Sequence, residues 1–342
     1  MNLDQLRSPQ SKSLALVRAG IARAVGGREA IEYAAARWGA DGDPARILRA
    51  AVSSMGTTGD TASIAPKGQT DFTDSMRHSG GFDFARQWMF EARMNARIPF
   101  ASQVVVGAQV DQAAAKPVQQ FEIGVSDTDP TKAVFMIVTS NDLLKFAPDL
   151  AERAISAAAR PGMALASDLI FLPALRAAEA QSLNAGAPTA AALRADLIDA
   201  ARPLGIGTGS KVLVFTPTKL HTTIGLMPAS ATDASPAFPD FPNIGRFEFV
   251  ATDALEIDSS GGTLVLCDVS RVSFADSGVS TRTSTHGTVQ LDSTPDSPPD
   301  GNTVGQSLFQ KDQTALLFER YLQFDVLGDD VVSTIVAANY GG

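Results

Sequence analysis

Apolar positions change their period several times along the chain, and each change marks an element. Over the first sixty residues the period is helical. Leu14, Val17, Ile21 and Val25 fall on one face of a helix that Gly26 and Gly27 stop. Ile31, Ala35 and Trp38 mark a second helix, ended by Gly39. Asp43 and Pro44 form an N-cap and first-turn pair that opens a third, carrying Ile47, Leu48, Ala51 and Val52. Residues Gly56–Gln69 then lose all periodicity and fill with Gly, Thr, Ser and Pro, the composition of a linker.

Beyond the linker, Phe82–Met94 predicts an amphipathic helix, with Phe84 and Trp88 on one stripe and Phe82, Ala85 and Met89 on its neighbour. A β-hairpin follows. One arm is Arg97–Phe100 running into Val104–Val106, and the other alternates through Val118, Phe121 and Ile123. Between them Gly107–Pro117 is small, polar and too long for a tight turn, which predicts an extended arm. Lys132–Thr139 is a strand apolar on both faces and expected to be buried.

Asn141 is read as the cap of a helix whose apolar positions recur from Leu143 to Leu172. Pro148 and the pair Pro161 and Gly162 are expected to kink or break it, because proline lacks the amide hydrogen and clashes with the preceding turn. Thr189–Ala201 is helical, Gly205–Gly209 a turn, and Val212–Phe215 and Thr263–Leu266 buried strands. Phe247–Val250 and Val269–Phe274 read as weaker strands, Ser293–Gly305 as loop, and Val331–Val336 as a β-branched closing strand.

Composition sets bounds on this picture. The 342 residues are 44% hydrophobic and 19% charged, enough apolar material for two or three packed units. No uninterrupted apolar run approaches the roughly 20 residues that cross a bilayer. The opening Met1–Gln10 lacks the charged-then-apolar pattern of a secretory signal, so a cytoplasmic origin without a membrane partner is expected. Residues 1–60 carry eight Lys/Arg against six Asp/Glu, and the remainder 20 against 31. A body that acidic does not wrap nucleic acid through phosphate neutralisation.

Candidate chemistry adds little. The single Cys267 lies in an apolar run and reads as a small buried hydrophobe, not a nucleophile. His78, His221 and His286 are isolated, with no metal-ligand spacing. Gly205–Lys211 has the look of a phosphate loop, but Ser210 stands where a glycine is needed, and the loop follows a helix and precedes a strand. Glu122, Asp127 and Asp129 lack the alternating pattern of a calcium loop and its closing glutamate. No catalytic, cofactor or metal residue is assigned, and no enzymatic activity is expected.

The segment Arg97–Leu144 resembles the hairpin-to-spine passage of tailed-bacteriophage major capsid proteins, the Hong Kong 97 capsid fold. The residues that carry the resemblance are Arg97–Phe100, Ala113–Pro117, Phe121–Ile123, Lys132–Thr139 and Asn141–Leu144. Ser307–Leu316, then Glu319 and Arg320 and a final apolar strand, are similar to that family's closing passage. The match runs in order over residues 80–342, with 175–300 matched only by its order of elements.

The resemblance implies an α+β fold and a division of the chain. Residues 1–60 would be an N-terminal helical arm or scaffold-like segment, and 61–96 a linker with an arm helix. An extended hairpin would occupy 97–125, a peripheral domain with a spine helix 126–180, a mainly axial domain 181–300, and a C-terminal return 301–342. Arg97, Val105, Gln109, Lys116, Pro117 and Phe121 would make the inter-subunit hairpin contacts. Lys116 could join an asparagine covalently, as a lysine does in the fold's founding member.

The implied function is a structural subunit that assembles into pentamers and hexamers around double-stranded DNA, in a virion built in a bacterial cytoplasm. Its partners would be further copies of itself, scaffold, maturation protease, portal and decoration proteins, and packaged DNA met without sequence specificity; no cofactor is implied. Encapsulin nanocompartment shells share this fold and are the near alternative. An α/β enzyme with an unrecognised site is the alternative of a different kind.

Overall fold

The computed structural model describes residues 9–50, 72–95, 99–101, 123–125, 128–230, 233–292, 295–298, 300 and 303–340. The linker read at Gly56–Gln69 and the middle of the hairpin lie outside them. The chain opens with helices α1 (Pro9–Gly26), α2 (Ala30–Trp38), α3 (Asp43–Ala50) and α4 (Gly81–Ala85), then strands β1 (Phe90–Glu91), β2 (Pro99–Ala101), β3 (Ile123–Val125) and β4 (Thr131–Ser140). Next come α5 (Asn141–Phe146), α6 (Pro148–Ala177), β5 (Glu179–Asn184), α7 (Ala190–Ala201), β6 (Val212–Pro217) and α8 (Thr218–Gly225). Short strands β7 (Pro228–Ser230), β8 (Asp233–Pro236) and β9 (Asn243–Ile244) lead to β10 (Phe247–Thr252), β11 (Ile257–Asp258) and β12 (Gly261–Asp268). The remainder is β13 (Val272–Ser284), β14 (Thr288–Val289), β15 (Gln306–Ser307), β16 (Gln313–Val326) and β17 (Val332–Ala338).

These elements form two units, each discontinuous in sequence. One gathers Met1–Arg77, Lys132–Met163 and Gly278–Arg320; the other gathers His78–Thr131, Ala164–Ser277 and Tyr321–Gly342. Helix α6 and strands β13 and β16 run on through both without a break.

In the first unit the three N-terminal helices fall where the sequence places them. Gly39 takes φ +94°, a conformation that favours glycine, and its N–H reaches Ala35 O at 3.0 Å to close α2. The helices meet over small side chains, Ala15, Ala19, Ala22, Ala30, Ala34 and Ala45, with Ile47 and Leu48 filling the end. Two ion pairs fasten them to α6. Arg18 meets the buried Glu152 at 2.8 Å, and Arg37 meets the exposed Asp149 at 2.8 Å. Arg23 donates to Thr281 O on β13. Here β13, β16 and β4 lie side by side in that order, with β4 at the sheet's edge.

The Lys132–Thr139 strand therefore exists, but it is not buried as its composition predicts. Only Ala133 is fully covered, while Val134 and Met136 are exposed. An edge strand packs on one side alone, and apolar composition does not reveal which strand will be the edge.

The helix after it also needs correcting. Ser140, not Asn141, is the cap: its Oγ accepts from Leu143 N–H at 3.2 Å. Pro148 does end one helix and begin the next, as expected. Pro161 and Gly162 do not break α6, which runs 30 residues. Pro161 and Pro173 both lie on its exposed side, as do Ala157 and Leu169, the residues whose carbonyls have no proline N–H to accept from. Gly162 has its own reason: any side chain there would collide with the Phe135 ring. By length and mean hydropathy (1.2) α6 could cross a membrane, but half of that window is buried in protein.

The second unit is built on a mixed seven-stranded sheet in the order β5-β17-β12-β6-β10-β9, with β11 beside β12. β6 and β10 are parallel, as are β17 and β5; β12 runs antiparallel to both β6 and β17. Helices α7 and α8 cover one face through Leu193, Leu197, Leu220 and Ile224, packed on Val214, Leu264, Leu266 and Ile335.

Elsewhere in this unit Phe82, Phe171, Phe215, Phe274 and Phe324 form an aromatic cluster, with Phe82 and Phe324 centroids 4.8 Å apart. The helix expected over Phe82–Met94 stops at Ala85. Phe90 and Glu91 pair in parallel with Ser273 and Phe274, and Ala92 N–H goes to Phe274 O at 2.7 Å. Strand pairing takes up the backbone groups a helix would have used. The stripe Phe82, Ala85 and Met89 is still the buried one.

Candidate functional site

The hairpin residues to which the sequence assigns inter-subunit contacts, Arg97, Val105, Gln109, Lys116, Pro117 and Phe121, lie outside the described residues. What the structure describes is the hairpin's base. β2 and β3 pair antiparallel with Pro99 opposite Val125, Phe100 opposite Gly124 and Ala101 opposite Ile123. The segment between is thereby anchored at both ends by backbone hydrogen bonds.

Sequence periodicity did not point to a second feature, a set of large apolar side chains that the described residues leave exposed. Val134 and Met136 stand out on β4, Phe146 on α5, and Leu150, Leu165 and Leu169 on α6. Every exposed residue of α6 from Ala154 through Pro173 is apolar: Ala154, Ala157, Ala158, Pro161, Leu165, Leu169 and Pro173. Leu291, Val304 and Phe309 are exposed near the β14–β15 pair. Scattered apolar residues are ordinary on a protein surface, but an uncharged stripe along five turns of helix marks a surface made to be covered. Periodicity shows that a helix has two apolar faces; it does not say which one the same chain will cover.

Buried charge is handled separately in each unit. In the first, Glu319 is 3% exposed and lies between Lys132 and Arg282, the latter at 3.0 Å. In the second, the buried Asp168 of α6 accepts from Gly81 N–H and Phe82 N–H at 2.8 Å each and from the Thr252 hydroxyl at 2.7 Å. It thus caps α4 from a distant part of the chain. Burial pushes its carboxyl up to about 6 against the pull of those three donors.

The remaining candidates fall into structural places. Cys267 is fully buried on β12, and burial raises its thiol well above the usual range. Burial lowers His221, whose ring lies 4.6 Å from Phe241. His286 is exposed in a turn, and the side chain of His78 lies outside the described residues. The Gly205–Lys211 stretch joins α7 to β6, with Gly207 N–H on Ser210 Oγ and Lys211 on Glu248 and over the Trp88 ring. Its lysine is engaged with protein groups. Glu122 and Asp127 lie outside the described residues, and among those described no three His, Cys, Asp or Glu side chains gather as metal ligands.

No family model matches the sequence, and no curated protein matches it. Solved structures do. One from Microbacterium phage Oxtober96 is 15% identical with a TM-score of 0.48, over 85% of this chain and 98% of that one. One from Mycobacterium phage Bobi is 14% identical with a TM-score of 0.48, over 85% and 96%. The capsid of an empty GTA particle is 11% identical with a TM-score of 0.46, over 73% and 88%. The chain's similarity is thus to phage structures and to a capsid.

Proposed function

We propose that this chain is the structural subunit of a phage head, assembling through its hairpin and its uncovered apolar surfaces into pentamers and hexamers that enclose double-stranded DNA. The observation that carries the proposal is the exposed apolar set on β4, α5 and α6, on elements a self-sufficient globular protein would cover or charge. The paired base of the hairpin supports it, because an arm anchored at both ends can reach a neighbour without loosening its own unit. Copies meet head to tail, so that the contacts close into rings.

In this reading Arg97, Val105, Gln109, Lys116, Pro117 and Phe121 touch the adjacent subunit, and Lys116 stands near the arm's tip. Scaffold, protease, portal and decoration proteins are the further partners, and DNA lies inside without sequence-specific contacts. The chain does no chemistry of its own.

Replacing Gln109–Ala115 with a short Gly-Asn turn tests the proposal. Loop length alone changes stability by only about 0.6 kcal/mol per doubling, so the variant should stay folded with near-normal melting. Closed particles seen by negative-stain microscopy should fall sharply. Particles as abundant as wild type would remove the hairpin from the assembly.

A further inference from the structure

The first unit carries an apolar pocket and, beside it, the kind of side chains that would fill one. The pocket has a volume of about 320 Å³ and is lined chiefly by Met136, Val289, Leu308, Ala315 and Leu317, with His286 at its rim. Leu308 and Ala315 are buried at its floor, while Met136 is exposed on the free side of β4. From the rim, after β14, the chain runs out through residues 290–305 before β15 returns. Val304 on this excursion is 85% exposed, and Leu291 is exposed as well.

The described residues of this stretch are tied to one another by hydrogen bonds. Gln290 holds both Asp296 N–H, at 2.7 Å, and Asp296 O, at 3.1 Å, and Thr303 donates to Asp296 at 2.7 Å. Two valences of the same surface are therefore present in one chain, an apolar cavity and an apolar projection.

Charge is divided the same way. Residues 290–305 contain Asp292, Asp296 and Asp300 and no Lys or Arg. All three aspartates are exposed. Arg282 lines the pocket, its side chain 73% exposed although it pairs with Glu319, and the exposed Lys311 donates to Gln306, which stands opposite the pocket-lining Val289. Acidic projection and basic rim are complementary between copies, and like surfaces repel.

We propose that the pocket receives Leu291 and Val304 from a second copy of this chain, whose Asp292, Asp296 and Asp300 face Arg282 and Lys311 around the rim. Because projection and pocket are different patches, the contact is heterologous, each copy giving to one neighbour and receiving from another. Such a contact closes into a ring where the rotation between copies allows it. The proposal rests on the shell-subunit reading for its biological setting, but the contact is a property of the surface and is testable apart from it.

Full-length single-cysteine variants Val304→Cys and Thr288→Cys, mixed under mild oxidation, test it directly. Thr288 lines the pocket, and the natural Cys267 is buried and does not compete. Disulfide-linked pairs should form efficiently between the two variants, and poorly between Val304→Cys and the exposed control Ile198→Cys. Lys311→Glu should weaken self-association about tenfold, and adding Asp300→Lys in the same chain should restore most of it. Equal linking with the control, in concentrated protein and in particles alike, would overturn the contact. Wild-type yields of particles from a Leu291→Ser, Val304→Ser variant would overturn it too, while leaving the shell reading intact. Linked pairs without closed particles under any condition would uphold the contact and count against the shell.

Discussion

Strands β6 and β4 are close in composition and opposite in fate. β6, Val212–Pro217, is buried at every position, between β12 on one side and β10 on the other. β4, Thr131–Ser140, carries Val134, Phe135, Met136, Ile137 and Val138, yet only Ala133 is buried. A central strand is enclosed by its own chain on both edges and both faces. An edge strand of equal hydrophobicity keeps an open row of backbone groups and uncovered side chains, a state that natural proteins blunt with charge or cover with another surface. Among the described residues, the uncharged middle of β4 is thus left exposed, as the proposed assembly requires, and that of β6 is the signature of a core.

The comparison can be broken in several ways. The largest effect is expected from truncating its buried side. Phe215→Ala in β6 should cost about 3–5 kcal/mol in chemical unfolding, while Met136→Ala in β4 should cost the isolated subunit less than about 1 kcal/mol. Equal costs would mean that β4 is covered by its own chain after all.

Next comes Asp168, whose folded carboxyl titrates at about 6 instead of 3.8. A raised carboxylate pKa favours the protonated folded state, so the contribution to stability is greatest below about 4 and is lost as pH rises through 6. From pH 7 to pH 4 the wild type should gain about 2 kcal/mol relative to Asp168→Asn, as read from paired unfolding curves. Parallel curves for the two proteins would show that the burial of this group is not felt.

A smaller effect is expected at Glu152, whose side chain is 7% exposed against Arg18. Glu152→Ala should cost about 1–3 kcal/mol and loosen the N-terminal helices first, read as faster amide exchange over 15–50. The smallest belongs to the other tie between the same helices and α6. Asp149 is 83% exposed, and Arg37→Ala should cost less than about 0.5 kcal/mol in the same measurement.

Much of the architecture is legible where local signals and burial agree. Gly39, the start of α3 at Asp43 and Pro44, and the turn from α7 to β6 are where the sequence puts them, because caps and glycine turns act within a few residues. The cap of α3 is Gly42 and not Asp43, since Arg46 N–H reaches Gly42 O and Asp43 is already the first helical residue. What escapes local reading depends on residues far away. The short helix α4 yields to β1 because Phe274 offers a parallel partner, a contact no window around Phe90 contains. The polar half of β13, past Phe274, is a strand because Val279 and Thr281 alternate inward beneath the exposed Ser280 and Arg282. Pro161 reads as a breaker and is not one, since its consequence depends on which side of α6 faces water. The hairpin contacts rest on motif resemblance, and the apolar surface on α6 and β4 becomes visible only once the chain's own packing is known.

The position of β17 in the seven-stranded sheet has a consequence for the nascent chain. It is the sheet's last strand in sequence but lies in its interior, between β5 and β12. While the ribosome is still making the residues before Val332, β5 and β12 have no partner between them, and the sheet is split into two incomplete parts. The arrival of Val332–Ala338 joins them, with five residues of β17 paired against each neighbour across one register shift apiece. Translation thus sets a clock: a chain stalled short of β17 presents two raw edges to the quality-control machinery, and a subunit whose sheet is whole has already been read through that last strand.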